Sequence, residues 1–176
     1  MSENPNGNAF YGKYRGTVTD NQDPLKTGRI RAKVSDVYGD QESGWAMPCA
    51  PFGGDGTGFF AVPAKGAGVW IEFECGNPDY PIWSGCWWGS VAEMPPVLFA
   101  PPPPTGTDPK VMIKTKGGHS ILLDDTPGTG GITLETSGGE KIVMSSTGIE
   151  ISNGQGGSLK LQGPKVTVND GALEVT

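Results

Sequence analysis

The stretch GGITLETSGGEKIVMSSTGIEIS, residues 130–152, alternates apolar and polar residues with a period of two. This period is typical of β-strands that bury one face. Each apolar run is only a pair, at positions i and i+2, before a glycine or serine interrupts it. Such thin strands cannot bury their apolar residues singly, so the surface they pack against decides the fold.

Eight apolar pairs of this kind follow one another through the last third of the chain. They are Val111/Ile113, Ile121/Leu123, Ile132/Leu134, Ile142/Met144, Ile149/Ile151, Leu159/Leu161, Val166/Val168 and Leu173/Val175. Glycine, proline or polar turn residues fill most of the gaps. The pattern predicts a repeat architecture whose units bury their apolar residues by stacking.

The small side chains of these pairs stabilise one chain by less than the backbone entropy that ordering it costs. Three chains wound together would share one dry axial core and pair their strand edges with each other. We therefore predict an intertwined trimeric β-helix, a prism roughly 40 Å long at about 4.8 Å per strand, with all sixteen residues as its trimer core. A single-chain β-solenoid is the alternative.

The first half of the chain also shows strand patterns, in the segments YGKYRGTVTD, GRIRAKVSDV, GWAMPCA, GFFAVP, AGVWIEFEC and PIWSGCWW. Within RIRAKV, Ile30, Ala32 and Val34 face one way and cations face the other. Several short strands without helical periodicity predict a small closed barrel, and an OB-fold is the commonest barrel of this size. The fold class is therefore all-β.

Seven prolines mark the segment PPVLFAPPPPTGTDP, residues 95–109, which predicts an extended, stiff linker. All five tryptophans precede it. We therefore divide the chain into an OB-fold domain at 1–94, the linker at 95–109 and the β-helix at 110–176.

The composition argues against several classes of function. Thirteen basic and nineteen acidic residues give a net charge of −6, which disfavours nucleic acid and anionic membranes as partners. No signal peptide or membrane-length apolar run is apparent, so we expect synthesis in the cytoplasm. Cys49, Cys75 and Cys86 fit neither a disulfide framework nor a zinc site, and we expect them reduced in the core.

No catalytic or cofactor site is predicted. Glu72 and Glu74 would share one solvated strand face, without the opposing acid that glycoside hydrolysis needs. His119 and Ser120 are adjacent strand residues that point to opposite faces, and His119 has no suitably spaced co-ligand for a metal. The stretch GGDGTG, residues 53–58, lacks the lysine and helix of a phosphate-binding loop. We expect no enzyme, no metal and no cofactor.

The segments DPLKTGRIRAKV, PAKGAGVWIEFE and GNPDYPIWSG, within residues 12–89, resemble the OB-fold domain of phage baseplate assembly protein V and of the VgrG spike proteins of type VI secretion. KTKGGHSILLDD and the stretch quoted first resemble the start of the family's triple-stranded β-helix. The resemblance implies a structural, homotrimeric central spike in the baseplate of a contractile phage tail or tail-like injection particle. It would contact the target membrane only transiently.

The resemblance also implies partners. The chain begins about ten residues before its barrel, so we expect the tail hub to be a separate protein, with Arg29, Arg31 and Lys33 as candidate hub contacts. The end GALEVT suggests a blunt platform for a PAAR-type tip protein, made by Leu173, Glu174, Val175 and Thr176. Other baseplate proteins would also contact the spike.

Two other functions remain as alternatives. OB-folds often bind single-stranded nucleic acid, and the Arg29, Arg31 and Lys33 face could follow such a strand. A subunit that targets a cell wall is the second alternative. The sequence does not distinguish a phage from a bacteriocin or an injection system.

Overall fold

The computed structural model describes residues 9–99 and 110–175. The chain divides between Glu93 and Met94 into two compact units, each of which has its own large sheet. Within the described residues, the helical structure is one α-helical turn, Ser35–Tyr38, and short 3-10 turns. The predicted all-β fold class is therefore confirmed.

The first unit is built on a curled five-stranded sheet. The strands of the unit are β1 (Tyr14–Asp20), β2 (Arg31–Lys33), β3 (Met47–Pro48), β4 (Gly53–Gly54), β5 (Thr57–Gly58), β6 (Gly68–Phe73) and β7 (Pro81–Trp87). The order in the sheet is β2-β1-β6-β7-β3, and β4 and β5 form a separate small hairpin. A curled sheet with this many short strands matches the barrel predicted from the sequence.

Alternation along the strands builds the core of the first unit. The buried apolar residues are Val18, Ile30, Ala32, Val34, Ala46, Val69, Ile71, Phe73 and Trp83. Ile30, Ala32 and Val34 are fully buried, as their spacing predicted. The indole Nε1 of Trp83 donates a hydrogen bond to the Gly28 carbonyl oxygen at 3.0 Å, so this large ring is buried without an unpaired donor.

Two of the predicted strand segments differ in the structure. Residues 59–63 of GFFAVP form no strand, and Phe59 and Phe60 are exposed. Strand β6 ends at Phe73, and a 3-10 turn, Glu74–Gly76, follows because the chain reverses there toward β7. Glu72 and Glu74 therefore do not share a strand face.

The prediction that the three cysteines lie in the core is wrong, because Cys49, Cys75 and Cys86 are all exposed, although all are free thiols. Cys75 lies in the turn after β6 with a φ of 51°, outside the strand alternation from which its burial was inferred. The pairing of β6 with β7 shifts register between Val69 and Ile71, so Cys86 does not continue the inward face.

The second unit is a single eight-stranded antiparallel sheet. Its strands are β8 (Lys110–Lys114), β9 (Ser120–Asp124), β10 (Gly131–Glu135), β11 (Lys141–Ser145), β12 (Gly148–Ser152), β13 (Ser158–Gln162), β14 (Lys165–Val168) and β15 (Leu173–Val175). Each strand pairs with its neighbours in sequence, in the order β15 to β8. Each of the eight apolar pairs lies in a strand of its own.

The strand edges pair within the chain, which corrects the expectation that they would pair with neighbouring chains. The connections are short, with two residues at 146–147 and 163–164 and five at 115–119, 136–140 and 153–157. Turns this short join antiparallel neighbours, so each strand is closed by the next strand of the same chain. The antiparallel order also differs from the parallel coils of a single-chain solenoid.

The proline-rich segment contains a helical turn that was not predicted. Pro96–Phe99 form a short 3-10 helix, in which the Leu98 amide donates to the Pro95 carbonyl oxygen at 3.1 Å. Proline fits the first position of a helix, where no N–H donor is needed, so the expectation of a fully extended segment is wrong here. Residues 100–109 of the predicted linker lie outside the described part of the chain.

Candidate functional site

The sixteen apolar pair residues all lie on one side of the second sheet, which we call the apolar face. The strand register aligns them in two continuous columns. The first column is Val111, Leu123, Ile132, Met144, Ile149, Leu161, Val166 and Val175. The second is Ile113, Ile121, Leu134, Ile142, Ile151, Leu159, Val168 and Leu173.

The apolar face is open within a single chain. Twelve of its sixteen side chains are exposed, from 36% for Met144 to 59% for Leu173. Ile121, Leu134 and Ile142 help to line a shallow groove of about 530 Å³ on this face. Contiguous exposed apolar surface of this extent marks an interaction site. The role of these residues as a trimer core stays a prediction.

The opposite side of the second sheet carries ion pairs. Lys110 lies 3.1 Å from Asp124, and Lys160 lies 3.9 Å from Glu150. A hydrogen bond from the Thr126 side chain, together with Lys110, lowers the pKa of Asp124 below its usual range. Charged pairs suit a surface in contact with water, so this side of the sheet suits solvent, whereas the apolar face suits burial.

The five-residue turns lie next to one another on the side of the sheet where they connect the ends of successive strands. The Ser137 amide of one turn donates to His119 Nδ1 of the previous turn at 3.3 Å. His119 is exposed and lies at the end of its turn rather than in a strand, whereas Ser120 begins β9. Among the described residues, no group of three or more histidines, cysteines or acids could hold a metal ion.

In the first unit, the three predicted hub-contact cations all have acidic partners. The pairs are Arg29–Asp23 at 2.6 Å, Arg31–Glu42 at 2.7 Å and Lys33–Asp40 at 3.1 Å. Hydrogen bonds from Arg29 and Arg31 hold the pKa values of Asp23 and Glu42, respectively, below their usual range. This face is therefore charge-balanced, which weakens the case for a nucleic-acid strand. Its role as a hub contact stays a prediction.

Glu72 is also engaged. Its carboxylate pairs with Lys13 and accepts a hydrogen bond from Ser84 at 2.6 Å, and these two contacts, that of Lys13 first, lower its pKa. Glu74 begins the following turn and does not face Glu72 across a cleft. The arrangement therefore differs from the two-acid geometry of glycoside hydrolysis.

The loop after β3 borders an apolar groove of about 660 Å³. Phe52, Phe60 and Trp83 contribute to its walls, and none of the described residues that line it is charged. The GGDGTG stretch forms the β4–β5 hairpin of this loop rather than a phosphate-binding turn before a helix. The groove thus lacks the cations and helix that phosphate recognition uses.

A further group was missed by the sequence reasoning. The Arg15 guanidinium lies beside the rings of both Trp70 and Trp87, with its central carbon 5.8 Å and 5.2 Å from the ring centroids. Arg15 pairs directly with Trp70 across β1 and β6. In the sequence, Trp70 alternates with Val69 and Ile71, a pattern that indicates the outer face for this tryptophan. The position of Arg15 beside it depends on strand pairing.

The two units match two different family models. Residues 14–88 match the type VI secretion system/phage-baseplate injector OB domain, and residues 110–174 match the phage baseplate V C-terminal trimerisation domain. No curated protein sequence gives a significant match. In the described part of the chain, no helix has the length and apolar character needed to cross a membrane.

Proposed function

We propose that this chain is a structural baseplate protein, the central spike of a contractile tail or injection particle, since its two units match the phage-baseplate injector OB domain and the baseplate V trimerisation domain. These families are structural components, and the second supports a homotrimer. The observation that carries the proposal is the apolar face, whose two columns run the whole length of the second sheet.

In the proposed trimer, each chain contributes one complete eight-stranded sheet, and the three apolar faces meet on a common axis. The ion-paired side of each sheet faces solvent. Eight strands at about 4.8 Å give a prism roughly 40 Å long. This arrangement keeps the predicted three-fold core but places the backbone pairing within chains and the side-chain packing between them.

Such a prism is suited to transmit an axial push. The backbone hydrogen bonds of the sheet run from strand to strand, along the direction in which the strands stack, and the stacked turns add contacts at its edge. A shared dry core would resist bending because closely packed interiors have low compressibility. We propose that the prism pierces the target envelope when the sheath contracts.

The first unit would dock the spike to a separate hub protein. Its OB-domain match supports association with the baseplate. The cations Arg29, Arg31 and Lys33 remain candidate contacts. A hub protein that binds them would compete with the acidic residues of this chain that now pair with them.

The far end of the second sheet is the proposed platform for a PAAR-type tip protein. Strand β15 is last in the sheet order, and Leu173 and Val175 are 59% and 58% exposed. Glu174 belongs to the same strand, and Thr176 lies outside the described residues. Size-exclusion chromatography of the full chain mixed with the tip protein tests this contact, and separate elution of the two would contradict it.

Particle assembly tests the proposed function as a whole. Ile149→Asp would place three charges in the shared core, so we expect particles without a functional spike and loss of killing or infectivity. Glu150→Gln, next in the chain but on the ion-paired side, is the matched control and should leave particles active. Fully active Ile149→Asp particles would contradict the proposal.

A further inference from the structure

Arg15, Trp70 and Trp87 form a small exposed group on the outer side of the first sheet, which we call the arginine–tryptophan face. Arg15 is exposed, and the two rings are half-buried. The ring centroids are 6.4 Å apart, and the ring planes are inclined by 52°. The guanidinium lies within cation–π distance of both rings.

The backbone holds Trp87 in place. Its indole Nε1 donates to the Val69 carbonyl oxygen at 3.1 Å. The ring lies against Gly68, where an added Cβ would stand 2.7 Å from it. Trp87 is therefore positioned before any partner arrives, which reduces the side-chain entropy lost on binding.

Arg15 differs from other cations on or next to the strands of this unit. Lys13 pairs with Glu72, and Arg31 and Lys33 pair with acids of the neighbouring loop. Within the described residues, the contacts of Arg15 are the two indole rings. Among the described residues, its guanidinium N–H donors have no hydrogen-bond acceptor, so they are free to bind another molecule.

We propose that the arginine–tryptophan face binds an acidic side chain of the hub protein, an inference that rests on the proposed function. A planar guanidinium binds a carboxylate through two parallel N–H···O bonds, and stacking on aromatic rings favours that geometry. Arginine and tryptophan are also the residue types that dominate binding energy at protein interfaces. This assigns the principal hub contact to Arg15 rather than to the paired cations Arg29, Arg31 and Lys33.

A single nucleic-acid strand is the main competing occupant, because it too would stack on tryptophan and pair with arginine. Strand binding uses a row of free cations along the phosphate backbone. Here the nearby Lys13 is neutralised by Glu72, and the chain carries a net charge of −6. One free guanidinium beside two rings fits one carboxylate better than a polyanion.

The test measures the affinity of the full-length chain for the hub protein of the same particle by isothermal calorimetry. Arg15→Ala should weaken binding at least about 30-fold, the loss expected of an interface hot spot. Arg15→Lys should weaken it about tenfold, because lysine keeps the charge but loses the planar pair of donors. Lys65→Ala, which removes another exposed cation of this unit, is the control and should bind as the wild type does.

The outcomes separate the inference from the proposed function. Equal affinity of the wild type and Arg15→Ala for the hub overturns the inference and does not affect the spike proposal. A wild type that does not bind the hub contradicts the docking proposed for the spike. A dT20 oligonucleotide that binds the wild type but not Arg15→Ala overturns the inference in favour of nucleic acid. Loss of the trimer mass in Arg15→Ala overturns it in favour of a second copy of this chain.

Discussion

Two adjacent residues of strand β10 allow a matched test of the apolar face. Ile132 lies in the first apolar column, and Thr133 lies on the opposite side of the sheet, between Leu122 and Val143 in the strand register. We predict that Ile132→Asp abolishes the trimer and that Thr133→Asp preserves it. The two variants carry the same charge one residue apart, so charge alone cannot explain a difference between them.

The expected magnitude follows from the burial of Ile132. Ile132 is 39% exposed in a single chain, so covering this exposed fraction in the trimer stabilises it by about 0.8 kcal/mol. A carboxylate there loses this term and adds a desolvation cost of several kcal/mol. Three copies meet on the axis, so the loss reaches the order of 10 kcal/mol per trimer or more, enough to dissociate it at micromolar concentration.

The assay is size-exclusion chromatography with multi-angle light scattering, followed by thermal unfolding of each variant. We expect the Ile132→Asp variant to elute with the mass of one chain. Thr133→Asp should keep the wild-type mass with a modest decrease in melting temperature, because its neighbours are apolar. A trimeric Ile132→Asp variant with the wild-type melting temperature would refute the assignment of the apolar face.

Three further changes test individual contacts. Asp23→Asn should lower the unfolding free energy at pH 7. The difference in unfolding free energy from the wild type should become smaller below about pH 4, because the folded state holds the pKa of Asp23 below its usual 3.8. A difference that stays constant from pH 7 to pH 2 would argue against this. Gly148→Ala should destabilise the second unit in thermal unfolding, since a Cβ there would overlap the backbone of the next strand, whereas Gly117→Ala, which has space, should not. Tyr38→Phe should cost about 1 kcal/mol in urea unfolding, because it leaves the Pro78 carbonyl oxygen without its 2.5 Å hydrogen bond, and an unchanged midpoint would contradict this.

The sequence alone predicts the strands of the second unit because their signals are local. A period of two marks each strand, and turn residues mark its ends, so every apolar pair from Val111/Ile113 to Leu173/Val175 falls in a strand. The inward face of the first unit is predicted for the same reason, as the complete burial of Ile30 and Val34 shows.

The pairing of the strands was not predictable from the same pattern. Apolar pairs specify which side of a strand is covered, but they do not specify which chain supplies the neighbouring strand. The short connections, such as residues 146–147 and 163–164, decide this by joining antiparallel neighbours within one chain.

Contacts between distant parts of the sequence were also missed. The ion pair of Arg31 with Glu42 and the position of Arg15 beside Trp70 and Trp87 require strand and loop pairings that no local pattern encodes. The exposure of Cys86 depends likewise on a register shift between β6 and β7. Alternation along a strand therefore predicts which residues are buried in the core, but it does not predict which residues the charged side chains contact.

The mass of the full-length chain in solution tests the central claim most directly. If the apolar faces of three chains cover one another, light scattering at micromolar concentration should give about 55 kDa, three times the 18.4 kDa of one chain. A mass of 18.4 kDa, with the C-terminal sheet still resistant to protease, would show that the apolar face is stable in water without a partner, and would contradict the account.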